Sequence, residues 1–218
     1  GWKGVVVVLG LVCLRCLAGF FGLWDVWEVG VTLYVDGDWL VAVGWEVFGR
    51  GVELSQLTRV GGSLLVRFGG YNSLRALRLP NLSEIGGTLN IDNAPGLTLL
   101  SAPKVPSLSA LRVYNADDFV TLDLASLKTV TGSVDIYSNS VLLDLSGLGA
   151  LESVVGNLQV YENSRLRNID GLTSLTGIGG SLFIRDNGNL RNLDGLSSLI
   201  SVVGGVTIEN NDTLPDLH

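Results

Sequence analysis

The chain has 218 residues, of which 14 are basic and 21 are acidic, and a formal net charge of −7. Nucleic acid is not expected as a partner, because phosphate binding needs a basic surface. The only histidine is His218 at the end of the chain, so a serine or cysteine nucleophile with a histidine base is not expected. Cys13 and Cys16 have metal-ligand spacing but lack a second ligand pair. We therefore predict no enzymatic activity, no metal and no cofactor.

Residues 1–24 are predicted to form an apolar leader. Val5 to Trp24 is a stretch of 20 residues with one charged residue, Arg15, and Lys3 precedes it. Its length is typical of a membrane-spanning helix, and its first half is typical of a signal peptide. Three interpretations stay open: a signal peptide or signal anchor, a buried cap strand, or residues that are not native sequence.

Residues 25–50 are predicted to cap the domain that follows. The segment from Val31 to Val43 alternates between apolar and other residues around Asp36 and Gly37, a combination typical of a β-hairpin. Such a hairpin would cover the apolar end of the first coil of a repeat array.

Residues 51–218 repeat a unit of about 24 residues, and this period predicts a solenoid. Each unit contains a short alternating strand with two inward-facing aliphatic residues. The first inward residues are Leu64, Leu89, Leu111, Val134, Leu158, Leu182 and Val206, and the second are Val66, Ile91, Val113, Ile136, Val160, Ile184 and Ile208. We predict a mostly β, right-handed parallel β-solenoid of about seven coils, with the last unit truncated.

Other columns of the repeat support the same register. A glycine stands two residues before most strands, as a sharp bend requires, but the third unit lacks it and is one residue shorter. We expect the turn at 106–110 to be rebuilt. Stacked asparagines, namely Asn93, Asn115, Asn139, Asn163, Asn187 and Asn211, are predicted to bond the turns of adjacent coils, and Asp144, Asp170 and Asp194 to bond their own turns. The segments between strands suit short strands or irregular turns better than helices.

The pattern L-x-x-L-D-G-L-x-x-L-x-x-I-x-G-x-L-x-I-x-x-N over residues 51–218 resembles the receptor L-domain family. Members of that family are leucine-rich-repeat-like β-solenoids of receptor ectodomains, and related repeats occur in fungal cell-wall surface proteins. The resemblance implies a secreted or cell-surface location. No cysteine follows Cys16, so the cysteine-rich modules of the animal receptors have no counterpart and a growth-factor-receptor role is not implied.

The outward face of the predicted sheet carries the candidate binding site. Two outward columns bring aromatic and charged residues together, and such groups form binding hot spots on rigid surfaces. The candidate ligand-binding residues are Arg112, Tyr114, Asp135, Tyr137, Gln159, Tyr161, Phe183 and Arg185. Stacked aromatics also stabilise a sheet without a ligand. A polar column beside them, formed by Ser63, Thr88, Ser133, Asn157 and Ser181, would bind a glycan or face water.

Four functions are open at this point. The first is a non-catalytic extracellular or cell-surface recognition module that binds a protein or glycan through the sheet face, attached to a membrane through the leader or secreted. The second is a structural cell-wall or matrix spacer. An ice-binding or crystal-binding surface is disfavoured because the columns do not repeat threonine, and a carbohydrate-active enzyme would have to use the carboxylates of Asp117, Asp118 and Asp135. Asn81 and Asn211 begin glycosylation sequons.

Overall fold

The computed structural model describes residues 5–7, 29–36, 39–47, 51–68 and 74–215. Most of the predicted leader, both cysteines, the Gly37 turn position and His218 lie outside these residues. In chain order the strands are β1 (Val5–Val7), β2 (Val29–Asp36), β3 (Trp39–Val47), β4 (Val52–Glu53), β5 (Arg59–Val60), β6 (Ser63–Phe68), β7 (Ala76–Arg78), β8 (Glu84–Ile85), β9 (Thr88–Asp92), β10 (Leu99–Ser101), β11 (Ser107–Leu108), β12 (Ala110–Tyr114), β13 (Thr121–Asp123), β14 (Thr129–Val130), β15 (Val134–Tyr137), β16 (Ser153–Val154), β17 (Leu158–Tyr161), β18 (Gly177–Ile178), β19 (Leu182–Arg185), β20 (Ser201–Val202) and β21 (Val206–Glu209).

One long sheet runs along the molecule in the order β1-β2-β3-β6-β9-β12-β15-β17-β19-β21. From β3 onward every neighbouring pair is parallel. The register aligns Leu64, Leu89 and Leu111, and it continues through Val134, Leu158, Leu182 and Val206. The chain is therefore a mostly β solenoid of parallel strands with a repeat of about 24 residues, as its sequence predicts, and it has about six turns where the sequence indicated about seven coils.

The N-terminal edge of this sheet is antiparallel. β2 and β3 form a hairpin in which Asp36 pairs with Trp39, and β3 then pairs in parallel with β6. β1, within the predicted leader, pairs antiparallel with β2. Among the described residues no helix is long and apolar enough to cross a membrane.

The second side of each coil is a two-residue strand. β11, β14, β16, β18 and β20 form one parallel sheet, whereas β5 and β8 form a separate pair. The interruption falls at the third unit, where the glycine column is broken. There a single residue, Ser109, separates β11 from β12, so the turn at 106–110 is rebuilt as expected.

The third side changes its conformation along the array. β4, β7, β10 and β13 form a parallel sheet, and in the next three coils single-turn 3₁₀ helices replace it at Ser146–Leu148, Asp170–Leu172 and Asp194–Leu196. Each of the three helical turns contains a glycine at the same position, namely Gly147, Gly171 or Gly195. A Cβ at Gly171 would overlap the carbonyl group of Leu145 in the preceding coil, so only glycine allows the coils to approach this closely.

The core fills the space between the three sides. The inward columns of the main sheet are almost fully buried in all but the last coil, and Phe119 is the largest fully buried side chain among the residues whose burial the structure describes. Burial decreases at the last coil, where Val206 is 57% exposed and Ile200 is 84% exposed. Each coil thus buries its apolar residues against its neighbours, as repeat architectures require.

Candidate functional site

Three tyrosines on the outward face of the main sheet stack on one another. The ring centroids of Tyr114 and Tyr137 are 4.9 Å apart, and those of Tyr137 and Tyr161 are 4.6 Å apart. The rings are nearly parallel, with interplanar angles of 7° and 3°. The guanidinium carbon of Arg185 lies 4.8 Å from the centroid of the Tyr161 ring, a cation–π contact that ends the stack.

The sheet register produces this stack. Tyr114, Tyr137, Tyr161 and Arg185 are direct partners in successive parallel strands. Neighbouring strands lie about 4.8 Å apart, so the same side chain at the same position in consecutive coils stacks at that distance. The three tyrosines are half-buried, and each neighbouring pair contributes about 0.5 to 1.5 kcal/mol beyond its area burial.

The adjacent outward column is a chain of polar contacts. The Nε atom of Arg112 lies 3.4 Å from Oδ2 of Asp135, and Nε2 of Gln159 donates a hydrogen bond of 2.8 Å to Oδ1 of Asp135. The Asp135 side chain is only 15% exposed, whereas that of Arg112 is 52% exposed. Phe183 follows Gln159 in the same column and is half-buried. The structure therefore places all eight predicted residues on one continuous surface.

Burial raises the pKa of two of the three stacked tyrosines, Tyr137 and Tyr161. The pKa of Tyr137 lies above its ordinary value chiefly because burial disfavours the charged form, and the adjacent tyrosines and Asp135 add to the shift. The pKa of Tyr161 is raised by burial and then by the carboxylate of Glu162, while Arg185 opposes the shift. Sequence analysis overlooked Glu162, although its position directly after a predicted site tyrosine was a visible signal. Both phenols are protonated at neutral pH and so present O–H donors.

The asparagine column is structural, as predicted. Asn139, Asn163 and Asn187 are fully buried. The backbone N–H of each donates to Oδ1 of the asparagine in the next coil, at 3.2 Å, 3.1 Å and 3.0 Å, the last of these to Asn211. Their amide nitrogens donate to main-chain carbonyls of the preceding coil. This ladder joins the coils by buried hydrogen bonds.

Two of the predicted ladder members occupy a different position. Asn93 and Asn115 have φ values of 46° and 53°, in the left-handed region that asparagine tolerates better than most residues. The ladder position in those coils is taken by Ala94 and Ala116, which are fully buried. Asn93 and Asn115 therefore lie one residue before the ladder position, at a left-handed turn, and do not belong to the asparagine ladder.

Side chains of the polar column beside the strands accept hydrogen bonds from backbone N–H groups of the next coil. The hydroxyl oxygen of Ser63 accepts from the N–H of Thr88 at 2.9 Å, and that of Ser133 accepts from the N–H of Asn157 at 3.1 Å. Ser181 donates its N–H to Oδ1 of Asn157 at 2.8 Å and accepts from the next coil through its hydroxyl. These side chains link coils, which weakens their assignment to a glycan.

The turn aspartates follow the prediction in one of three cases. Asp144 accepts from the N–H of Ser146 at 2.9 Å. In the next two coils the equivalent acceptors are Asn168 and Asn192, which bond the N–H groups of Asp170 and Asp194. The prediction for Asp170 and Asp194 is therefore wrong, because the asparagine two residues earlier holds the turn.

Two of the three candidate carboxylates and the two sequon asparagines make hydrogen bonds of their own. Asp118 accepts from the N–H of Gly96 at 2.9 Å, while Asp135 bonds within its own column. Asn81 is exposed, whereas Asn211 is 8% exposed and donates to the carbonyl of Ile184 at 2.9 Å. Asn81 is thus the more accessible glycosylation acceptor. In the described part of the chain no cluster of three or more histidine, cysteine, aspartate or glutamate residues could hold a metal ion.

No protein-family model matches the chain, and no curated protein and no solved structure shows significant similarity to it. The resemblance to receptor L-domains therefore stays a prediction from the repeat pattern.

Proposed function

We propose that the protein is a non-catalytic recognition module of the extracellular space or cell surface, related to receptor L-domains, which binds a protein or glycan through the outward face of its main sheet. The observation that carries this proposal is the half-exposed stack of Tyr114, Tyr137 and Tyr161 ended by Arg185. Tyrosine and arginine are enriched among residues that dominate binding energy at interfaces.

The rigidity of the surface supports recognition. The stack is held by four strands in register, so its side chains are ordered before any ligand arrives. Ordering a side chain on binding costs about 0.5 to 1.5 kcal/mol for each rotamer-rich group. A preformed row of rings avoids much of this cost.

Of the two ligand classes, the stack favours a protein. Sugars stack on open aromatic faces, but Tyr137 is covered on both faces by its neighbours and Tyr161 is covered by Tyr137 and Arg185. Ring edges and hydroxyl groups remain accessible. Edges, hydroxyls and a guanidinium suit the backbone and side chains of a protein, to which they can donate hydrogen bonds.

A structural spacer of a cell wall or matrix is the second candidate, and one observation favours it. The polar groups nearest the stack already bond one another, since Asp135 accepts from Arg112 and from Gln159. Because these polar groups already bond one another, no ligand is needed to account for their presence on this surface.

A binding screen separates the two candidates. The full chain is screened against extracellular-protein and glycan arrays beside two triple variants at Tyr114, Tyr137 and Tyr161, one with serine and one with phenylalanine. Phenylalanine keeps the stack and removes the hydroxyls. A ligand that binds the wild type and is lost by a folded serine variant supports recognition at this face. Equal binding by the wild type and the folded serine variant places the site elsewhere, and no ligand for the wild type favours the spacer.

A further inference from the structure

Three arginines lie in a groove away from the tyrosine stack. The groove has a volume of about 390 Å³ and is lined by Leu143, Arg165, Arg167, Asn189 and Arg191. It lies between the end of a main-sheet strand and the single-turn helix of the same coil. The three arginines are exposed, so their guanidinium groups are accessible from solvent.

Two of these arginines occupy equivalent positions in successive coils. The N–H of Arg167 donates to the carbonyl of Leu143 at 2.9 Å, and the N–H of Arg191 donates to the carbonyl of Arg167 at 3.0 Å. The backbone is therefore fixed at this point, and the two side chains leave it at equivalent positions of two hydrogen-bonded coils. Asn189 is held beside them, because its amide nitrogen donates to the carbonyl of Ser164 at 2.6 Å.

This arrangement departs from the charge pattern of the array. All four ion pairs among the described residues join opposite charges one coil apart: Arg59–Glu84, Arg67–Asp92, Arg112–Asp135 and Lys128–Glu152. Arg167 and Arg191 stand in the same relation with the same charge. Within the described part of the chain, no carboxylate lies within ion-pair distance of either arginine or of Arg165.

Arg167 and Arg191 lie outside the strands, and like charges that stand opposite each other in neighbouring coils repel one another as they do in neighbouring strands. Carboxylates in this relation, such as Glu162 and Asp186, are expected in a chain with a net charge of −7. Neighbouring arginines are not expected there, since glutamine or serine at either position would remove the repulsion. A bound anion between the guanidinium groups would convert this repulsion into attraction.

We propose that the groove formed by Arg165, Arg167 and Arg191 binds a tetrahedral oxyanion, sulfate or phosphate, either free or as a substituent of a larger ligand. A guanidinium group presents donors in a planar fork that pairs with two oxygens. One carboxylate has two oxygens, which a single arginine can satisfy. A sulfate or phosphate group has oxygens on several sides and can accept from more than one arginine. This site lies beyond the face assigned to recognition and does not depend on that assignment.

The test compares the full 218-residue chain with two charge-matched double variants. The groove variant is Arg167→Gln with Arg191→Gln, and the control is Arg78→Gln with Lys104→Gln, which removes two exposed positive charges elsewhere. Titration calorimetry measures binding of sulfate, of phosphate and of a sulfated tetrasaccharide with its desulfated form, at constant ionic strength set with chloride. Thermal unfolding without these anions gives the melting temperature of each protein.

We expect the groove variant to lose about tenfold or more in affinity, as the loss of charge-assisted hydrogen bonds implies, and the control to stay within about twofold of the wild type. Without the anion, the groove variant should be at least as stable as the wild type because the repulsion is gone. Binding of the free ions identifies the ion itself as ligand, and binding of the sulfated tetrasaccharide alone identifies a glycan as its source; both support the site.

Three outcomes would overturn the proposal. An equal loss of anion affinity in the groove variant and the control variant would show that binding depends on the net charge of the protein and not on the groove. A lower melting temperature of the groove variant without anions would assign the arginines to structure. No binding of any of these probes by the wild type would leave the groove without an oxyanion function. If the groove variant does not fold, Arg191→Lys, which keeps the charge and removes the fork, is expected to weaken binding, and unchanged affinity would count against the proposal.

Discussion

Substitution of Asn163 by alanine tests what holds neighbouring coils together. The side chain is fully buried, and its Oδ1 accepts from the N–H of Asn139 at 3.2 Å, while its Nδ2 donates to the carbonyl of Ile136 at 3.0 Å. The same Oδ1 also accepts from Nδ2 of Asn139, and the same Nδ2 also donates to the carbonyl of Tyr161 and to Oδ1 of Asn187. Asn163→Ala removes all of these hydrogen bonds and leaves the buried N–H of Asn139 without a partner. Alanine should cause no clash, because Ala94 and Ala116 occupy the same column in earlier coils.

The expected loss follows from these contacts. A neutral hydrogen bond contributes about 1 kcal/mol net, and a buried N–H group without a partner costs about 1 to 3 kcal/mol. The free energy of unfolding should therefore fall by about 3 kcal/mol. For a chain of this length, that change corresponds to a decrease in melting temperature of about 6 to 12 °C.

Urea unfolding followed by far-ultraviolet circular dichroism measures this change, because the signal comes mainly from the repeat array. The matched control is Asn189→Ala, which removes one exposed hydrogen bond to the carbonyl of Ser164 and should cost less than about 1 kcal/mol. A cost at Asn163 no larger than that at Asn189 would refute the view that the buried ladder stabilises the coils.

Three further changes test other parts of the structure. Gly171→Ala should destabilise the protein by about 3 kcal/mol or more in the same assay, because its Cβ would overlap the backbone of the preceding coil, whereas Gly149→Ala, whose Cβ meets its nearest atom at 3.5 Å, should be neutral or slightly stabilising. Glu162 has a φ of 55°, a left-handed conformation that costs an ordinary residue about 1 to 2 kcal/mol and asparagine less. Glu162→Asn also removes the exposed hydrogen bond from the hydroxyl of Ser138, so the free energy of unfolding in the same assay should rise by only about 0.5 kcal/mol. The pKa of Tyr137 is raised by burial, so its contribution to stability is complete below the ordinary tyrosine pKa near 10 and is lost as pH rises through the higher folded value. Phenolate absorbance compared between the wild type and Tyr137→Phe should show a component that ionises above pH 10, and an unshifted component would contradict the burial argument.

The sequence predicts the parts of this fold that repeat. Inward columns such as Leu158 and Val160 recur with one spacing and one chemistry, because every coil must bury the same positions against its neighbours. The tyrosine stack follows from the same reasoning, since an in-register parallel sheet places Tyr114, Tyr137 and Tyr161 side by side. These features depend only on which residues occupy equivalent positions in successive coils, and the repeat period gives those positions from the sequence.

Other features depend on hydrogen bonds and close contacts between coils, which the repeated residue types in the sequence do not reveal. The hydroxyl of Ser133 accepts from the backbone of the next coil, which requires a turn geometry that the sequence does not reveal. The change from strands to 3₁₀ helices depends on the close approach of Gly171 to the backbone of the coil before it. The arginine groove had a visible signal, because Arg191 follows Arg167 by one period of 24 residues. This pair of arginines becomes a candidate anion site only because neither has a carboxylate partner among the described residues.

The choice between a recognition module and a spacer depends on separating what the tyrosine stack does for the fold from what it does for a ligand. Two neighbouring pairs at about 0.5 to 1.5 kcal/mol each make the stack worth about 1 to 3 kcal/mol of stability, so serine at all three positions weakens the protein even if no ligand exists. Phenylalanine keeps the rings and their contacts. A spacer therefore tolerates phenylalanine and loses stability with serine, whereas a surface that binds through its hydroxyl groups loses its ligand with phenylalanine while its stability is retained. The phenylalanine variant therefore distinguishes a recognition module from a spacer, because it removes the exposed hydroxyl groups and keeps the stacked rings.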